Sequence, residues 1–364
     1  MQLISSKKGM LMAGLLLGVL AAVLALSGNP KNMAICVACF VRDMAGAMKL
    51  HQAAVVQYMR PEIVGITVGA FVLSMATKEY RSTAGSSPMI RFVLGFIMMI
   101  GALVFLGCPL RLILRMSAGD LNAYVGLVGF VAGIGTGCIA LKKGFSLGRA
   151  YETNRASGFV LPALLVIMLV LSLTTTLMAF SEKGPGSMHA PVIMSLVCGL
   201  LFGMIAQRFR TCFAGSVRDI ILMKNFDLIT MIGGLFVVML VFNLATGNFK
   251  LSFDGQPIAH AQHLWNFLGL YAVGFAAVLA GGCPLRQLVL AGQGSADAAV
   301  TFLGLLVGGA VAHNFGLAAS AAAAATADTP AVAGGPAMAG KVALMIGIAV
   351  LFVIGFSPKT KKAA

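Results

Sequence analysis

Two short cysteine motifs each occur twice in this chain. Cys36-Val-Ala-Cys39-Phe-Val-Arg42-Asp43 recurs as Cys212-Phe-Ala-Gly-Ser-Val-Arg218-Asp219, with five of eight positions identical. Gly107-Cys108-Pro109-Leu110-Arg111 recurs as Gly282-Cys283-Pro284-Leu285-Arg286, with all five identical. The offsets are 176 and 175 residues. Two uncommon motifs in the same order at nearly one offset point to an internal duplication. Each motif joins a thiol to a guanidinium. A thiol is a weak S–H donor on a soft, polarizable atom, and a guanidinium is a permanently charged fork of donors. A hard anion such as phosphate needs only the charge. The added thiols suit a small anion that carries sulfur or selenium, held at successive points without being trapped, as conduction requires.

Local spacing refines these roles. Pro109 and Pro284 suit the first turn of a helix, where no backbone N–H is needed. Cys108 and Cys283 then stand at helix N-termini, where a partial positive charge and free N–H groups attract anions and favour a thiolate. Arg111 and Arg286 follow their cysteines by three residues, about one turn, and so share a face with them. Arg42 and Arg218 follow by six and carry their own counter-charges in Asp43 and Asp219, which makes them supporting pairs. Cys39 has no counterpart, because Gly215 stands in its place. The resulting Cys36-x-x-Cys39 leaves a redox pair open, and with it the alternative of a membrane thiol-disulfide or selenium-reducing oxidoreductase. One such pair is too few ligands for zinc, and His51, His189, His260, His263 and His313 show no ligand spacing. No metal or cofactor is expected. Cys138 and Cys198 read as small apolar filler.

The elements that must position these groups are read from composition. Of 364 residues, 59% are hydrophobic and 10% charged, against about 45–50% and 25% in soluble domains. That excludes a soluble or disordered chain, and seven cysteines are too sparse for a disulfide framework. Apolar runs near 9–27, 61–77, 91–107, 123–141, 159–180, 190–207, 228–246, 265–282, 299–317 and 340–356 are each long enough to cross a bilayer. The first reads as a retained helix rather than a cleaved signal.

The formal net charge of +15 has its main cause in loops on the cytoplasmic side, so no nucleic-acid partner is expected. With the N-terminus inside, the inner segments hold Lys7, Lys8, Lys78, Arg81, Arg91, Lys142, Lys143, Arg149, Arg155, Arg208, Arg210, Arg218, Lys224, Lys359, Lys361 and Lys362. The outer loops at 181–189, 247–264 and 318–339 hold only Lys183 and Lys250. Two outer segments break the rule, and both contain motif cysteines: 28–60, with Lys31, Arg42, Lys49 and Arg60, and 108–122, with Arg111 and Arg115.

Each copy therefore holds five crossings. Five is odd, so the second copy enters the membrane from the opposite side. The expectation is an all-α polytopic membrane protein of about ten spans, arranged as two inverted five-helix repeats, 1–180 and 181–364. The segments 36–50, 108–116, 212–224 and 283–291 are expected as re-entrant half-helices, since irregular backbone at membrane depth survives only inside protein or beside water. Inverted-repeat transporters place their sites at the repeat interface near the midplane, so the four duplicated thiols should share one corridor there. The Ala-rich outer loop 318–339 reads as a weakly ordered connector. No Gly-x-x-x-x-Gly-Lys-Ser/Thr motif occurs, so transport by this chain is passive or ion-coupled rather than ATP-driven.

The segments ICVACFVRD, GCPLR, RTCFAGSVRD and GGCPLRQLVLAGQGSADAA resemble the YeeE/YedE family of bacterial inner-membrane proteins, and most closely the YedE branch described as selenium transporters. The resemblance covers nearly the whole chain. It implies a pseudo-symmetric helical protein whose short central loops carry cysteines that pass thiosulfate along through weak S–H contacts. That role would fall on Cys36, Cys108 and Cys283, and the duplication extends it to Cys212. It further implies a multi-pass inner-membrane protein with both termini in the cytoplasm. Its partners would be a small inorganic sulfur or selenium anion and the lipid bilayer, with a cytoplasmic sulfur or selenium carrier protein as a further one.

Overall fold

In a computed structural model, residues 6–30, 32–323 and 332–357 are described. Lys31, Lys359, Lys361, Lys362 and the centre of the Ala-rich loop lie outside the described residues.

Fourteen α-helices follow one another among the described residues. The first half holds α1 (Lys7–Leu26), α2 (Val37–Ala47), α3 (Pro61–Ala76), α4 (Pro88–Phe105), α5 (Pro109–Ser117), α6 (Leu121–Lys142) and α7 (Val160–Thr174). The second holds α8 (Val192–Arg208), α9 (Phe213–Met223), α10 (Asp227–Ala245), α11 (His263–Ala280), α12 (Pro284–Gly292), α13 (Ala296–Asn314) and α14 (Met338–Phe356). The starts of α4, α5 and α6 recur 175 positions later as α11, α12 and α13, and α2 recurs 176 later as α9. Among the described residues, nine helical stretches are long and apolar enough to cross a membrane, and the short α3 is a further apolar helix of 16 residues. The chain is an all-α polytopic membrane protein. Its small strand content includes Thr83–Ala84 against Tyr151–Glu152, which ties two loops together.

Packing crosses between the halves. The principal helix pairs are α1 with α10, α3 with α8, α4 with α13 and α6 with α11, and α4 also lies along α11. Small residues let these backbones close, the usual device where lipid offers no hydrophobic drive. A Cβ added at Gly101 would come within 2.6 Å of the Gly269 carbonyl oxygen. In the stretch His263–Gly292, which runs from α11 into α12, 83% of the apolar span is inside the protein, against 28% for α14, so α11 is central and α14 peripheral. The last helices of each half depart from the symmetry: α14 packs on α4 and α11, whereas α7 packs on α3.

α4 and α11 run antiparallel, with Gly101 beside Gly269 and Arg91 Nη1 donating to Ala280 O (3.1 Å). Their C-terminal ends therefore lie at opposite ends of the stretch they share. A rise of 1.5 Å per residue between Arg91 and Phe105 puts those ends roughly 20 Å apart. We term them inner (α11) and outer (α4), after the orientation expected from the loop charges. The four thiols accordingly form two separate pairs rather than one cluster, because each pair is tied to one of these ends. The flanks of the Ala-rich loop are also more ordered than expected. Ser320 pairs with Gly335 and Ala323 with Val332, and Ala322 N donates to Ala259 O at 2.7 Å.

Candidate functional site

All four duplicated cysteines are helix N-caps. Cys36 and Cys212 cap α2 and α9, and their sulfurs accept from the backbone N–H of Cys39 (3.4 Å) and Gly215 (3.1 Å). Cys108 and Cys283 precede α5 and α12 in extended conformation, with proline in the first turn and no cap bond from the side chain. Their thiols are thus free to turn toward a partner.

At the outer end the N-termini of α2 and α5 converge. Cys36 Sγ lies 3.7 Å from Cys108 Sγ, and the Cys108 sulfur also faces the backbone N–H groups of Arg111 and Ala38. At the inner end the N-termini of α9 and α12 converge. The Cys212 thiol interacts with that of Cys283, whose sulfur faces the N–H groups of Arg286 and Phe213. Each thiol pair therefore sits where two half-helices aim their positive ends. All four are buried. Between the ends, a cavity of about 40 Å³ is walled by Pro109 and Ile113 of α5 and by Phe213 and Val217 of α9, among others.

The arginines of the Cys-Pro-Leu-Arg motif both fold back over the glycine that precedes the cysteine. An added Cβ at Gly107 would meet Arg111 Cδ at 2.9 Å, and one at Gly282 would meet Arg286 Cγ at 2.7 Å. From there they part. Arg111 is fully buried and all its donors are engaged. Nε donates to Asn32 O (3.2 Å), Nη2 to Asn32 Oδ1 (3.1 Å) and Ile258 O (3.1 Å), and Nη1 to Leu106 O and to Cys39 Sγ (3.6 Å). Asn32 in turn donates to Pro257 O (3.1 Å). Arg286 is only partly buried, and among the described residues its guanidinium has no hydrogen-bond partner.

The Arg-Asp pairs also differ. Asp43 accepts from Arg42 (2.7 Å) and from Arg60 (2.7 Å), with both carboxylate and Arg60 fully buried. Arg60 reaches on to Met188 O and Pro185 O and lies over the Phe40 ring. Arg218 and Asp219 pair at 2.8 Å but stay 29% and 15% exposed. A second buried pair, Arg115 with Asp120 (2.6 Å), secures the start of α6. Cys39 joins the outer group through Arg111, and Cys138 and Cys198 are buried in α6 and α8. The His51 and His313 rings lie tilted to each other with centroids 4.7 Å apart, and His189 stacks on Tyr58 at 4.1 Å. Among the described residues no group of three metal-binding side chains forms.

Sequence reasoning missed Arg60, Arg115, Asp120, Asn32 and Gln287. The first two were visible as exceptions to the loop-charge rule. Gln287 could have been found by aligning the two motif copies one residue further, where Leu112 faces it.

Comparison with known proteins agrees with this chemistry. Residues 208–364, which include the inner thiol pair, match the family described as "Sulphur transport". The chain is 32% identical over 113 residues to the thiosulfate transporter TsuA of Spirochaeta thermophila, covering 30% of this chain and 33% of that protein. It is 30% identical over 111 residues to TsuA of Escherichia coli, covering 29% and 30%. The chain thus spans about a third of the length of the curated relatives it matches. These matches support the resemblance to the YeeE/YedE family read from the cysteine motifs, and they are named as transporters rather than enzymes.

Proposed function

We propose that this protein conducts a small, soft sulfur-containing anion across a bacterial inner membrane, with both termini in the cytoplasm and the two thiol pairs as successive stations. Thiosulfate and small selenium anions fit the same chemistry. One observation carries the reading: at each end, two half-helix N-termini converge on a buried pair of thiols. The helix ends offset the anion's charge, and the S–H groups give its polarizable atom weak, exchangeable contacts. Neither holds the ion tightly, which suits passage from one station to the next. The inverted recurrence of the half-helices supports two repeats, 1–180 and 181–364, that enclose one pathway. Passive or ion-coupled movement follows from the missing nucleotide motif.

Uptake of labelled thiosulfate, selenite and hydrogen selenide into proteoliposomes tests this. Wild-type protein should carry at least one of them, and Cys108→Ser and Cys283→Ser should each abolish that flux. A folded preparation that carries none of the three would refute the reading.

A further inference from the structure

The duplicated motif gives each end an arginine at the same position, yet only one of the two is free. At the outer end Arg111 closes the C-terminus of α4 by donating to Leu106 O. At the inner end the counterpart bond, from Arg286 to Gly281 O, is not made among the described residues. α11 is closed by Gln287, whose Nε2 donates to Ala280 O (3.1 Å) and Gly282 O (3.1 Å); Ala280 O is the counterpart of Phe105 O, which Arg115 Nη1 holds at the outer end. Leu112 stands at the matching position of the first copy and has no such donor.

Two polar atoms at these neighbouring positions are unmet. Arg286 Nη1 and Gln287 Oε1 are both buried without a partner, and Gln287 is 0% exposed. Buried polar atoms are seldom left unpaired without a ligand or water to take them. Arg115 Nη2 is also unpaired, but its guanidinium is already committed to Asp120, Phe105 O and the Phe105 ring. The ionisable groups with the largest influence on Arg286 are the thiols of Cys212 and Cys283 and the guanidiniums of Arg210 and Arg218. Arg210 is exposed and Asp219 is tied to Arg218, so the surroundings are net positive. At Arg111, by contrast, the places an anion's oxygens would take are filled by the protein's own oxygens, from Asn32 and Ile258.

We propose that Arg286, left unbonded while Gln287 closes α11 and set beside the Cys212–Cys283 pair, is the binding site for a small divalent anion with a polarizable sulfur, and that Arg111 is a latch holding the loops at Asn32 and Ile258 against the outer end. That the ligand is a transported ion rests on the reading above; the site itself does not.

The test is equilibrium binding of radiolabelled thiosulfate to the full chain in nanodiscs. One site per chain is expected, with sulfate a weak competitor. Arg286→Gln should weaken binding at least tenfold. Gln287→Leu should weaken it too, because the carbonyls of Ala280 and Gly282 lose their donor and compete with the ligand for the Arg286 guanidinium. Wild-type affinity in a folded Arg286→Gln protein overturns the proposal; where that variant does not fold, wild-type affinity in Gln287→Leu overturns it. Binding that depends on Arg286 without flux in proteoliposomes would remove the transport reading and leave the site. Flux with binding indifferent to Arg286 would do the reverse.

Discussion

At the outer end, Arg60, Arg111 and Arg115 are among the largest fully buried side chains, and each is bound to a carboxylate or to backbone carbonyls. At the inner end, Arg210, Arg218 and Arg286 are all at least partly exposed, and among the described residues only the guanidinium of Arg218 of these three has a counter-ion within bonding distance. The thiols and half-helix N-termini are alike at both ends, so the difference lies in what holds the cations. Where a guanidinium meets the chain's own oxygens, it fixes loops. Where it does not, it is available to an anion. Chemistry that looks identical in two copies of a motif can therefore be structural in one and ligand-facing in the other.

The sharpest way to break this comparison is at the thiols. Cys108→Ala and Cys283→Ala should each lower thiosulfate uptake into proteoliposomes by more than tenfold, whereas Cys39→Ala, which has no inner counterpart, should lower it by less than threefold. Loss of activity on Cys39→Ala with Cys283→Ala unaffected would instead favour the oxidoreductase. Next comes the pairing of charges. Asp43→Asn leaves buried Arg42 and Arg60 without their counter-charge and should cost about 3–5 kcal/mol of stability. Asp219→Asn, at the half-exposed inner pair, should cost less than about 1 kcal/mol. Thermal unfolding of the two variants in detergent measures the contrast, and equal losses would erase it.

A smaller effect follows from His260, in the loop that Arg111 latches. It is buried, with Nε2–H donating to Val104 O (2.8 Å) and Nδ1 accepting from Gln262 N (3.2 Å). The neutral ring is thus fully satisfied, and burial pushes its pKa down to about 4. Its contribution is complete above about pH 6.5, the unfolded value, and is lost as pH falls from there toward 4. The unfolding temperature should drop over that window, and His260→Gln should lessen the drop. The least effect is expected at Gly215. Gly215→Ala brings a Cβ within 3.0 Å of Cys212 Cβ, a tight contact opposed by the gain of about 1 kcal/mol from alanine over glycine within a helix, so the net change should stay within about 1 kcal/mol, as the Cβ of Cys39 at the matching outer position suggests. Melting curves of Gly215→Ala against wild type decide it.

Much of this was legible in the sequence. Duplication placed all four half-helices to within a few residues, and Pro109 and Pro284 marked their first turns, because proline and N-cap geometry are local. The pairing of Cys36 with Cys108, and of Cys212 with Cys283, was not legible, since it depends on α2 meeting α5 and α9 meeting α12 across the fold. The same holds for the arginines. Arg111 finds Asn32 79 residues away and Ile258 147 away, and no spacing rule reports such distances. Arg111 and Arg286, alike in the motif, differ in their bonding, and the sequence marks the difference nearby by Gln287, which stands where the first copy has Leu112.

The cross-wise arrangement of the long helices also bears on how the chain is made. α1, α3, α4 and α6 each find a principal neighbour in a helix synthesised later. During translation the earlier helices must wait in the lipid with their small-residue faces uncovered, so the ribosome has to deliver nearly the whole polypeptide before either thiol pair is enclosed. Separately expressed fragments would then acquire their structure only by finding each other in the bilayer.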